Sequence, residues 1–288
     1  MLRSVVARAR AVPWTVTRIM GHPANDGGRA VQLARFVRVR ATNRLLGRTA
    51  WLPYGRSSII AIPPTVPAAI AAARAPIPDY SEMLAWERLL RPGDQFIDVG
   101  AHIGMYTLWA AECGAHVIAV EPADDAATWL QRNCERNQAI ATVYRVALAE
   151  EAGHVMLSSD ANQAKRHLVM TRDDSAQSVP SLTLDELAAS EGLKQIAGVK
   201  VDVEGAEELV LRGASKLLAE KRVAAWQLEW NDMSMRHFGR TRAPCADILL
   251  GAGYRLYRPN ARGQLHPVQE SHKLGRDIFA LARREHLR

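Results

Sequence analysis

Acidic side chains recur at the ends of short apolar runs along this chain. Asp98 lies near the end of the run Gln95–Val99 and is followed by Gly100, Ala101, His102, Ile103 and Gly104. Glu121 and Pro122 follow the run at 116–120, Asp202 and Glu204 close the run at 199–203, and Glu229 stands near the end of 224–230. A carboxylate in such a place can accept hydrogen bonds from hydroxyls, meet a cationic group or take a proton from a nucleophile. Gly100 and Gly104 remove side chains where backbone and ligand must approach closely. The spacing is not the dinucleotide pattern: that would need glycine at 102, where His102 stands, and a pyrophosphate next to Asp98 is electrostatically awkward. A ligand with an ammonium group and no phosphate fits better. Glu121, 21 residues after Gly100, is placed to accept hydrogen bonds from ribose hydroxyls. S-adenosylmethionine combines an amino-acid tail, a sulfonium and an adenosine.

The elements that must position these residues alternate in type. Strand-like runs at 95–99, 116–120, 142–146, 199–203 and 224–230 are separated by helical patterns at 105–113, 124–137, from Thr183 onward, and at 207–218. A helical pattern at 81–90, stopped by Pro92-Gly93, precedes the first strand, and part of another covers 246–250. Residues 150–182 interrupt the rhythm and read as an inserted hairpin. Strands alternating with helices across short connections imply a mostly parallel sheet covered on both faces. The expected class is α/β: a doubly wound, Rossmann-like sheet, with an antiparallel edge strand from the final extended pieces at 254–258 and 277–281. In such sheets ligands bind outside the carboxyl ends of the strands, near the switch point.

The segments DVGAHIGMYTLWAA, VIAVEP, SLTLDEL, VKVDVEGAEELVLRGASKLL and QLEW occur in that order between about residues 81 and 282. Together they closely resemble the FkbM-type S-adenosylmethionine-dependent methyltransferases, and DVEGAE is the most specific piece. The resemblance implies a class I methyltransferase fold and methyl transfer to a hydroxyl oxygen. It implies acceptors such as sugars, glycolipids or polyketide-type natural products. His102 departs from the family, in which asparagine is common there, and residues 1–75 lie outside the resemblance.

Cofactor contacts are then expected from Asp98, Gly100, Ala101, Gly104, Glu121, Pro122 and the backbone around Val146-Ala147, near the adenine. Strand alternation predicts Lys200, Asp202 and Glu204 on one face. A sugar hydroxyl is a poor nucleophile while protonated, so Asp202 is the first candidate for the base or orienting group and Glu204 the second. Either could instead bind the cofactor amino group or a divalent ion, and Glu204 could cap the following helix. His102, Asn162 in the inserted loop and Glu229 are substrate-side candidates, with Asn231 a weaker one. Trp226 and Trp230 read as core. No metal is required, although the acids at 202, 204 and 229 could hold one. The absence of a [DN]PP[YF] run at the fourth strand argues against nitrogen methylation of DNA.

Composition bounds these readings. With 48% hydrophobic and 23% charged residues the chain can close a sizeable core, which excludes disorder throughout. Cys113, Cys134 and Cys245 lie far apart with no CxxC pair, which fits a reducing compartment rather than a disulfide scaffold or zinc ribbon. The apolar stretch at 59–73 is cut by Pro63, Pro64 and Pro67, and the first residues lack the apolar centre of a secretory signal. A soluble, cytoplasmic protein is expected.

The net charge of +7 hides an asymmetry. Residues 1–75 carry twelve Arg, no Lys and one acid, Asp26, whereas residues 76–288 carry 25 bases and 29 acids. The expected organisation is a basic, helical N-terminal arm at 1–75 and a methyltransferase domain at 76–288. The arm reads first as a helical extension packed on the body. Its second reading is a peripheral membrane contact through residues 1–50, because arginines interleave with apolar residues there. Nucleic acid is the third, and no RNA- or DNA-binding signature accompanies it. Two rival functions follow: an RNA-modifying methyltransferase that uses the arm, and a non-catalytic relative that keeps the cofactor site.

Overall fold

The computed structural model describes residues 14–158, 167–169, 176–231, 239, 241–268, 275 and 277–282. The chain divides into two compact units, Met1–Tyr80 and Ser81–Arg288. In the first, α1 (Arg29–Leu46) is followed by a hairpin of β1 (Ala50–Tyr54) and β2 (Ser58–Ile62). α1 stops at Gly47, whose φ of 60° places it in the left-handed region that glycine adopts without a Cβ penalty. Its inner face buries Gln32 and Val39, and Gln32 Nε2 donates to the Ala73 carbonyl at 2.9 Å. β1 alternates as a half-buried strand does, with Leu52 and Tyr54 inward, whereas β2 buries Ser58 and then all of Ile60, Ala61 and Ile62. The sequence hid β1, because Pro53 interrupts an apolar run and proline is confined to strand edges.

The second unit opens with α2 (Tyr80–Leu89) and contains the main sheet, built from β3 (Gln95–Val99), β4 (His116–Val120), β5 (Ala141–Tyr144), β10 (Ile196–Val201), β11 (Val223–Leu228), β12 (Arg255–Pro259), β13 (Leu265–Pro267) and β14 (Ile278–Leu281). Their order is β13-β12-β14-β11-β10-β3-β4-β5. β5, β4, β3, β10 and β11 run parallel, whereas β14 runs antiparallel to both β11 and β12. The antiparallel strands thus gather at one end of the sheet, with β14 slotted between β11 and β12.

Each face of the sheet has its own packing. On one, Ile97, Val99, Val199, Val201 and Trp226 join the buried side chains of α5 (Leu184–Ser190), α6 (Glu207–Arg212), α7 (Ser215–Ala219) and α8 (Ala243–Gly251). On the other, Trp86 of α2 meets Phe96 edge-on, with ring centroids 4.8 Å apart. Gly198, the register partner of Phe96, leaves room for that indole: a Cβ there would lie 2.3 Å from it. α3 (Met105–Glu112) follows β3 and α4 (Asp124–Asn137) follows β4.

Three expectations are corrected. The insertion is not a lone hairpin: β6 (Ala147–Leu148), β7 (Gly153–Leu157), β8 (Leu168–Val169) and β9 (Gln177–Leu182) form a second sheet in the order β6-β9-β7-β8. The helix expected over 207–218 is two helices, α6 and α7, divided near Gly213. A Cβ at that glycine would lie 2.1 Å from the Ala149 carbonyl oxygen, so tertiary packing sets the break. The strand expected over 199–203 ends at Val201, so simple alternation does not carry Glu204 to the face of Lys200.

Candidate active site

Between β3 and β10 the direction of chain progression across the sheet reverses, and in open α/β sheets ligands bind outside the carboxyl ends at such a point. Asp202 N–H donates to the Val99 carbonyl at 3.0 Å, tying the ends of β10 and β3, and the Gly100 and Ala101 amides donate to Val120 at the end of β4. Gly100 has φ of 78°, and a Cβ on it would lie 2.0 Å from the Asp202 carbonyl oxygen. The glycine expected to admit a ligand therefore first admits the neighbouring strand's backbone. Gly104, with φ of 95°, opens α3 against Leu130, whose Cδ1 would lie 2.7 Å from an added Cβ.

Glu121 is placed by the chain on both sides of it. One carboxylate oxygen accepts from the His102 amide and the other from the Ala123 amide, each at 2.8 Å. Two backbone donors hold the carboxylate in a single orientation, and an ionised carboxylate can accept about four hydrogen bonds, so ligand hydroxyls are compatible with them. His102 adopts φ of 53° in presenting its amide. Asparagine and histidine are both enriched in that left-handed region, so the departure at 102 preserves the loop's backbone. Ala101 is buried beside this contact and Pro122 is half-buried.

Asp98 does not stand open at the strand end as expected. It is 1% exposed, accepts from Thr107 Oγ1 at 2.7 Å and lies opposite Lys200 in the strand register. Burial raises its pKa above the usual carboxylate range, against the lowering influence of Lys200. Its Oδ1 is buried with no hydrogen-bond partner among the described residues. Such an orphaned acceptor suits a donor-bearing ligand group, an ammonium included.

Lys200, which strand alternation places on the face of Asp202, organises the acids. Its ammonium lies 3.0 Å from Asp202 Oδ2 and 4.4 Å from the centre of the Tyr106 ring. Burial works against its charge, but Asp202 and Asp98 outweigh burial and hold its pKa above the ordinary value. Glu204 reaches the cluster through a left-handed turn, φ 55°, followed by Gly205 at 112°. Asp202, Glu204 and Glu229 bring carboxylate oxygens within 4.8 Å of one another, a spacing compatible with a shared cation or hydroxyl. Glu204 does not cap the next helix: α6 has Ala206 at its N-cap, with no side-chain hydrogen bond.

The third carboxylate of the DVEGAE segment supports that turn. Glu207 is fully buried; one oxygen accepts from the Gly205 amide at 3.1 Å and the other pairs with Arg242, itself 2% exposed. Arg242 Nε also donates to the Asn231 carbonyl at 3.2 Å, which ties Asn231 to the base of the site. Gln227, on β11, accepts from Trp86 Nε1 and donates to Asp277 at 2.7 Å and Tyr106 at 3.1 Å. Glu207 could have been found as the third acid of its motif, but Arg242, 35 residues away, carries no local signal. Trp226 and Trp230 are fully buried core, as expected. Ala147 is buried in β6, in the small sheet, and pairs with Ser181. Asn162 lies outside the described residues.

This strand order, with antiparallel β14 between β11 and β12 and acids at the tips of β3 and β4, defines a class I methyltransferase fold. The family model described as the methyltransferase FkbM domain matches residues 98–256. The chain belongs to that family: it carries a methyltransferase FkbM domain, whose cofactor is S-adenosylmethionine. Among curated proteins it is similar to the 31-O-demethyl-FK506 methyltransferase FkbM of Streptomyces tacrolimicus, at 29% identity over 157 residues that cover 43% of this chain and 60% of that protein. The match thus spans less than two thirds of the relative's length. Two solved structures show partial likeness. The magnesium protoporphyrin IX methyltransferase ChlM of Synechocystis PCC 6803 with bound SAM is 15% identical, covering 74% of this chain and 83% of that one, with a TM-score of 0.43. The METTL16 methyltransferase domain is 16% identical, covering 88% and 79%, with a TM-score of 0.44.

Proposed function

We propose that the protein methylates a hydroxyl oxygen of a sugar, glycolipid or secondary metabolite, in the cytoplasm. The observation that carries this reading is the gathering of Asp202, Glu204 and Glu229 beside the β3–β10 crossing. S-adenosylmethionine supplies a methyl group activated by a cationic sulfur. What the chain itself must supply is orientation of both partners and removal of the hydroxyl proton.

In this reading Asp98 Oδ1 and the 100–104 loop hold the amino-acid end of the cofactor, and Glu121 holds the ribose hydroxyls with Pro122 beside it. The backbone near Ala147 borders the adenine. Asp202, one oxygen fixed by Lys200, takes or orients the acceptor proton, and Glu204 stands by as the alternative acceptor. Glu229 and His102 bind neighbouring groups of the acceptor. The 31-O-demethyl-FK506 methyltransferase supports oxygen as the methylated atom in a relative. Incubation with methyl-¹³C-labelled S-adenosylmethionine and a panel of sugars, glycolipids and polyketide alcohols should yield a new methoxy carbon by NMR. Label found only on nitrogen or sulfur would reject the proposal.

A further inference from the structure

Helix α1 has two faces that answer to different surroundings. Its inner face, with Gln32 and Val39, is buried. Opposite it, Ala30, Ala34, Val37, Ala41 and Leu45 fall at the spacing that lines one side of a helix, and all five are exposed. The stripe runs about 22 Å from Ala30 to Leu45, and its two larger side chains, Val37 at 58% and Leu45 at 80% exposure, are left in water. Arg40 and Arg44 flank the stripe on one side and Arg35 and Arg38 on the other; Arg29 pairs with Asp26 just before the helix, and the helix itself contains no acid. Among the described residues no helix is long and apolar enough to cross a membrane.

We propose that this face docks on an anionic lipid bilayer, with the helix lying in the plane of the interface. The stripe would enter the boundary between headgroups and acyl chains, while the arginines reach lipid phosphates on both flanks. A second copy of the chain fits less well, because pairing along the stripe would bring arginine flanks together with no acid on the helix to offset them. A nucleic acid would satisfy the arginines but give the apolar stripe nothing to bury against.

The test is co-sedimentation of the full chain with phosphatidylcholine vesicles, with and without phosphatidylglycerol. Binding is expected only when phosphatidylglycerol is present, and it should fall by at least about tenfold in the double variants Val37→Glu/Leu45→Glu and Arg38→Glu/Arg44→Glu, with melting temperatures retained. Hydrogen exchange on the unmodified protein supplies a second readout that needs no variant: vesicles containing phosphatidylglycerol should protect amides within 29–46. The proposal is overturned by absence of binding, by binding that survives Val37→Glu/Leu45→Glu, or by unchanged exchange in α1. RNA bound in preference to vesicles, or a dimer abolished by the apolar-stripe variant, would equally overturn it.

Discussion

Asp98 and Lys200 face each other across β3 and β10, both withdrawn from water, with Asp202 closing the group. The raised pKa of Asp98, caused first by burial, has a consequence for stability. Between the ordinary carboxylate pKa and the elevated native one, the folded state keeps a proton that the unfolded state has released, so this group's contribution is lost as pH rises through that window. Denaturant titrations of the parent and Asp98→Asn should show the parent gaining stability relative to the variant as pH falls through the window; an unchanged difference would refute the burial assignment. Asp202 belongs to the chemistry instead. Asp202→Asn should lower kcat by about 10²-fold or more while leaving cofactor affinity close to the parent's. Equal turnover would remove Asp202 from the mechanism.

At the scale of elements, the turn at 203–206 depends on Glu207. Removing one partner of a buried ion pair strands the other charge, so Glu207→Ala should cost about 3–5 kcal/mol in denaturant unfolding. Gly100→Ala should also destabilise the fold, by about 1–3 kcal/mol or more, since the new Cβ would meet the Asp202 carbonyl and the backbone would stay in the left-handed region. A native-like melting curve for either variant would contradict these roles. β3, β4 and α4 were legible in the sequence to their end residues, because apolar runs and a helical period are bounded there by glycine, proline and polar residues. The four-stranded insertion and the α6–α7 break were not, since pairing partners and the Gly213–Ala149 approach are set by distant chain. Asp98, Glu121, Asp202 and Glu229 could be read because each stands at or just past the end of a strand. The Lys200–Asp98 pairing and Arg242 could not, since they come from a neighbour across the sheet and from a residue 35 positions along the chain.

For the whole molecule, the division of charge follows the division of structure. The arginine-rich residues belong to the first unit, Met1–Tyr80, and the acids of the crevice to the second, Ser81–Arg288. An acidic crevice suits a cationic cofactor, and a basic surface suits phosphate-bearing partners. Both depend on where the chain puts its carboxylates, above all on Glu121 held by the His102 and Ala123 amides. Calorimetric titration of the full chain with S-adenosylhomocysteine tests that arrangement most directly. One site per chain is predicted, weakened at least about tenfold in Glu121→Gln, whose amide can no longer accept on both sides. No heat from the parent protein, or equal affinity in the variant, would contradict the account.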